Sequence, residues 1–182
     1  METINELFKD QIKDLYSAES QLLKALPKMA KKATTPALKK GFETHLKQTE
    51  GHVSRLEEIA KMWEFKPSGK KCKAMEGLIE EGKEVLEEDG NESVIDAALI
   101  AAAQRVEHYE ISAYGSARAL ADRLGCKETM DVLQQTLNEE AETDKILTKL
   151  STGSVLKSAP IDEMESVLPQ RELEFREPLL SW

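Results

Sequence analysis

Apolar residues recur along this chain at three- and four-residue spacing, the period of a helix with one buried face. Phe8, Ile12, Leu15, Leu22, Leu26 and Ala30 mark such a stripe in a first helix expected from about Glu2 to Lys32. Pro27 lies inside it and removes one backbone hydrogen bond, which predicts a bend around residues 23–27. After a Thr-Thr-Pro turn, Thr35 is placed to cap a second helix and Pro36 to open it. That helix reaches about Trp63, with Leu38, Phe42, Leu46, Thr49, Val53, Leu56 and Ala60 as its inner stripe. Residues 64–73, with Pro67, Ser68, Gly69 and several lysines, show no period and read as a connection. Met75, Leu78, Ile79, Val85 and Leu86 then make a short amphipathic helix that ends near Asp89-Gly90. Asn91 opens a long helix bearing Leu99, Ala103, Val106, Ala113, Ala117 and Leu120, stopped at Gly125. A last helix runs from about Lys127 to Leu150 with Leu133, Leu137, Leu147 and Leu150 inward. Short turns within each half and a long joint between them predict an all-α four-helix bundle of two antiparallel hairpins, with a short extra helix in the long connection.

Acids interrupt these stripes. Glu19 falls within the first, Glu110 within the fourth, and Glu140 and Asp144, one turn apart, within the last. An ionised group taken out of water costs several kcal/mol unless it is paired, hydrogen-bonded or bound to a metal. No Lys or Arg shares the stripes, so bound cations are the expected compensation. Carboxylates projecting into a four-helix core resemble the ferritin-like di-metal arrangement, and oxygen ligands of this kind suit iron or manganese in redox work. Glu107, one turn before Glu110 on the same face, is a further candidate ligand.

The second helix contributes less clearly. Its innermost positions hold Thr49 and Val53, with Glu50 on one shoulder and His45 and His52 on the other. Glu50 or His45 can lean toward the acids, whereas a histidine beside a helical core more often serves packing. His108, about 200° around its helix from Glu110, belongs on the surface. The candidate ligand set is therefore Glu19, Glu50, Glu107, Glu110, Glu140, Asp144 and His45, holding iron or manganese as one or two ions. The competing arrangement is a metal-free carboxyl network, partly protonated and tied by Tyr16, Tyr114, Thr49 and His45. A shift of about 91 residues lays Glu19 on Glu110 and Thr49 on Glu140, a weak match that either diverged copies or any two amphipathic hairpins would give, and it pairs Glu19 with Glu110.

Composition narrows the classes of function. With 182 residues, 40% of them hydrophobic, the chain fits one bundle domain over residues 1–150. The segment 151–182 is a tail of changed composition whose Leu168, Phe175 and Trp182 are placed to cover the bundle or a partner subunit. A net charge of -9 argues against nucleic-acid and anionic-membrane surfaces. No apolar run is long enough for a bilayer, and the amino terminus lacks the pattern of a signal peptide, so a cytoplasmic protein is expected. Cys72 and Cys126 form no CxxC and read as free thiols.

Five stretches in order, DLYSAESQLLKALPKMA, HLKQTEGHVSRLEEI, KKCKAMEGL, AAAQRVEHYEISAYG and LNEEAETDKILTKL, together resemble the YciE/YciF-like family of ferritin-like stress proteins, from about Asn5 to Leu150. The resemblance implies a ferritin-like bundle, a homodimer, a cytoplasmic location and a link to stress. The wider superfamily uses Glu-x-x-His on two helices, but here Phe42, Thr49 and Arg105 stand three residues before the histidines. Two functions follow: a metalloprotein handling oxygen, peroxide or ferrous iron, or a non-catalytic dimer that binds a partner around a degenerate, metal-free carboxyl network.

Overall fold

The computed structural model describes residues 1–161. Five helices carry the fold: α1 (Ile4–Lys32), α2 (Pro36–Met62), α3 (Lys73–Glu87), α4 (Glu92–Arg123) and α5 (Lys127–Leu150). The first begins later than the periodicity suggests because Thr3 caps it. Thr3 Oγ1 accepts from Glu6 N at 3.1 Å, and the Glu6 carboxylate accepts from Thr3 N in return. Pro27 is accommodated within an uninterrupted α1. Asn91 caps α4 by accepting from the Ser93 and Val94 amides. At the far end Gly125, with φ of 73°, takes the left-handed conformation that lets the chain reverse into α5.

Thr35 does not cap α2 with its side chain. An acid from across the bundle serves instead: Asp96 of α4 accepts from Thr34 N at 2.9 Å, Thr34 Oγ1 at 3.0 Å and Thr35 N at 2.7 Å. The Thr35 amide belongs to the N-cap of α2 and the two Thr34 donors to the turn before it, and these bonds tie the two hairpins together.

Helices α1 and α2 form one hairpin and α4 and α5 the other, with α3 laid across α1 and α4. Their apolar side chains form two separate clusters. One contains Phe8, Ile12, Leu15, Leu56, Ile59, Tyr114, Ala117 and Leu133. The other contains Leu22, Leu26, Leu38, Phe42, Met75, Leu99, Ile100 and Leu147. On every bundle helix buried polar residues fall between these two sets, Glu19 on α1, His45, Thr49 and His52 on α2, Glu107 and Glu110 on α4 and Glu140 on α5, while buried Asp96 and Thr129 lie near helix ends outside them. A polar layer thus divides the core. Past Leu150 the chain continues as a π-helical turn (Ser151–Val155) and a short α6 (Leu156–Ser158), with Val155 buried in the second cluster. The expected packing of Leu168, Phe175 and Trp182 lies outside the described residues. No helix described is long and apolar enough to cross a membrane.

Candidate metal centre

The polar layer brings together two sets of donor atoms. His45, Glu107, Glu110 and Glu140 each present an atom within 4.8 Å of the others, as do Glu19, His52 and Glu140. Glu140 belongs to both. Its Oε2 lies 3.8 Å from His45 Nε2, and its Oε1 lies 3.0 Å from His52 Nδ1. Glu19 Oε1 approaches the same His52 nitrogen at 3.3 Å, and Glu107 Oε1 approaches His45 Nε2 at 3.3 Å. Despite these distances, His45 Nε2, His52 Nδ1, one oxygen each of Glu19 and Glu107, and both oxygens of Glu110 and Glu140 have no hydrogen-bond partner among the described residues. The atoms converge without the geometry of bonds between them.

The outer nitrogen of each histidine explains why. Thr143 donates its only hydroxyl proton to the Glu139 carbonyl at 3.0 Å, so toward His45 Nδ1, 3.3 Å away, it can only accept. That places the His45 proton on Nδ1 and turns a lone pair at Nε2 toward the acids. His52 Nε2 lies 2.9 Å from Glu139, whose carboxylate is gripped by Arg55 through two nitrogens at 2.8 and 2.9 Å. A proton on Nε2, donated to Glu139, would leave Nδ1 to offer a lone pair inward once a cation displaces the second proton of the imidazolium. Carboxylate or hydroxyl partners that fix the outer nitrogen and free the inner one are the usual support of a metal-ligating histidine.

Electrostatics agree with an incomplete layer. Burial, reinforced by Glu140 and Glu19, pushes Glu107 well above the usual carboxylate range, and burial with Glu19 and Glu140 does the same to Glu110. Burial also raises Glu19, although His52 and Tyr114 offset part of this. His45 is pushed down by burial and is neutral. In His52 burial is outweighed by Glu140 and Glu19, which hold its proton up to about 10. Without a cation, then, one imidazolium stands among four carboxyls. Protonation alone leaves the set incomplete, because a neutral Glu110 has a hydroxyl to donate and no hydrogen-bond partner among the described residues. Of the four ties expected for a metal-free network, only Tyr114 bonds a carboxyl of the layer, donating to Glu19. Tyr16 donates to Glu57 at the edge, and Thr49 to the His45 carbonyl. The donor set, mixed oxygen and imidazole with unclaimed lone pairs, fits a divalent transition metal in each group.

Five of the seven expected ligands meet here: Glu19, His45, Glu107, Glu110 and Glu140. Glu50 is exposed, pointing away on the outer side of α2. Asp144 is half-buried and turned toward α4, bonding Gln104 Nε2 at 2.9 Å and pairing with exposed His108 at 3.3 Å. At 100° per residue Thr143 and Asp144 straddle the inner line, and the α2 side goes to Thr143. His52, absent from the expected set, is fully buried in the layer. Its signal was available: Leu38, Phe42, His45, Thr49, His52, Leu56 and Ile59 repeat at 4-3-4-3 spacing, a heptad seam. Leu46 and Val53 only flank it and are half-buried. Each superfamily Glu-x-x-His is present by halves, as Thr49-x-x-His52 on α2 and Glu140-x-x-Thr143 on α5.

Comparison with known proteins identifies the family and the fold. The family described as a domain of unknown function (DUF892) matches residues 3–159. Protein YciF of Escherichia coli K12 is 44% identical over 160 residues, covering 87% of this chain and 96% of that protein. The crystal structure of that E. coli stress protein superposes with a TM-score of 0.83, covering 86% of this chain and 99% of the other. YcfI of Rhodopseudomonas palustris is 40% identical, with a TM-score of 0.79, covering 81% of this chain and 94% of its own. A ferritin-like diiron-carboxylate protein of Bacillus anthracis, 16% identical with a TM-score of 0.65 over 83% of this chain and 99% of its own, shares the fold.

Proposed function

The chain belongs to the DUF892 family, and from that membership together with its ferritin-like fold we propose that it is a cytoplasmic stress-response metalloprotein, working as a homodimer. Its polar layer binds two ions of iron or manganese and serves in handling oxygen, peroxide or ferrous iron. What supports this reading above all is Glu110, fully buried with neither oxygen partnered among the described residues. Glu19, His52 and Glu140 would hold one ion, and His45, Glu107, Glu110 and Glu140 the other, with Glu140 shared. When bound, such a pair supplies Lewis acidity and one-electron chemistry toward a small oxidant. The protein's own part is to aim the two inner nitrogens through Thr143 and Glu139, to neutralise charge with four carboxylates, and to exclude water with an apolar cluster on either side. The E. coli relative is a stress protein, and this supports the stress-response part of the reading.

One observation favours the second reading, a metal-free dimer that binds a partner: protonated His52 lies between Glu19 and Glu140 and is itself a counter-ion. Metal analysis after purification without chelator, followed by anaerobic titration with ferrous iron, separates the two. The metalloprotein takes up about two ions per chain, and Glu140→Ala, which removes the shared ligand, takes up essentially none. Absence of uptake by the parent chain overturns the proposal and leaves the His52 network.

A further inference from the structure

Solvent reaches the polar layer at one corner. His45 and Glu107 each retain 2% exposure, whereas Glu19, His52, Glu110 and Glu140 retain none. The same two residues line a cleft of about 260 Å³ between α2 and α5, and no other residue of the two donor groups does. Gly41, Thr44 and Gln48 form its α2 wall, and Thr143 and Ile146 belong to its α5 wall. The space is several times the ~30 Å³ share of one water, so a hydrated ion fits. Glu142 and Lys40, of opposite charge, both border it, and the donor atoms of His45 and Glu107 lie where it meets the polar layer.

On the basis of the metal-centre reading above, we propose that the α2–α5 cleft is the port through which a hydrated divalent cation enters, and that the His45–Glu107 group is filled first. The Glu19–His52 group, fully enclosed, is then supplied from it through Glu140, whose two oxygens face the two histidines. Gly41 keeps the port open: a Cβ built there meets no heavy atom within 4 Å, so a larger side chain has room to occupy the cleft without displacing the helix.

The test is the rate at which metal-free protein binds Co²⁺ alone, followed by stopped-flow absorbance, with the final stoichiometry measured separately. Gly41→Phe is expected to slow loading at least tenfold while the number of ions bound at equilibrium stays that of the parent. Gly41→Ala, which makes the same backbone change toward a better helix former but leaves the cleft open, loads at the parental rate. Thr44→Trp, an exposed position on the next turn, repeats the block should Gly41→Phe fold poorly. Parental loading rates in both bulky variants, at normal stoichiometry, overturn the port and leave the metal centre standing. No Co²⁺ binding by the parent overturns the centre and the port together.

Discussion

Asp96 and Glu110 lie on the same helix, neither with any solvent contact, and the fold treats them in opposite ways. Asp96 accepts three hydrogen bonds from the start of α2. Burial alone would raise its carboxyl, but the donors of Thr35 and Thr34 outweigh that and hold it below the usual range. Glu110 has no such donors, and burial with its acidic neighbours lifts it far above. A buried acid that is fully bonded is a structural part. One that is buried with no partner among the described residues is, on the proposed reading, half of an interaction whose other half is a bound cation.

Removing the two acids should therefore move stability in opposite directions. Asp96→Ala strands three donors at a helix end and is expected to cost about 2–4 kcal/mol in urea unfolding. Glu110→Leu replaces an unpaired buried acid by an apolar side chain of similar volume. In metal-free protein it is expected to raise stability by about 1–4 kcal/mol, while abolishing the increase in Tm that added metal gives the parent. Asp96→Ala keeps that increase. Destabilisation of the metal-free protein by Glu110→Leu would erase the contrast.

Arg55 offers a smaller and more selective lever. Burial would raise Glu139, yet Arg55 and His52 hold it down to about 2, so it remains a carboxylate that orients His52. Arg55→Ala should weaken metal binding by about 10–100-fold in titration, as loss of an outer partner usually does. Thr143→Val, which takes only a neutral partner from His45, should weaken it less. Equal effects would mean that the two histidines are held alike.

The mildest effect is that of pH on metal-free protein. Asp96 has a folded value below its ordinary 3.8, so the stability it gives is present above that pH and is lost as acid titrates it through the folded value. Glu110 has a folded value above its ordinary 4.5, so it costs stability increasingly as pH rises past 4.5. Thermal unfolding across pH should show Asp96→Asn less sensitive than the parent to acidification, and Glu110→Gln less sensitive to the rise.

Most of the fold was legible because the helices carry wide apolar stripes and clear boundary residues, Asn91 and Gly125 among them. The cap of α2 was not, since Asp96 reaches Thr34 and Thr35 from 62 and 61 positions away, and no local pattern announces it. In the site, Glu19, Glu110 and Glu140 stood out as charges among leucines and alanines. His52 was passed over because hydropathy favours Val53 for the inner place. The seam is set instead by the 4-3-4-3 repeat, and the layer has uses for an imidazole there. Asp144 shares the acids' stripe on paper, but a difference of 40° from Glu140 is enough for Gln104 to take it.

The most direct test is anomalous scattering from crystals of the parent chain grown with ferrous iron or manganese, recorded at the absorption edge of each. Two peaks are predicted in the polar layer, one in contact with His45 Nε2, Glu107, Glu110 and Glu140, the other with His52 Nδ1, Glu19 and Glu140. A layer with no peak at either edge, its carboxyls bonded to one another around a protonated His52, would contradict the account.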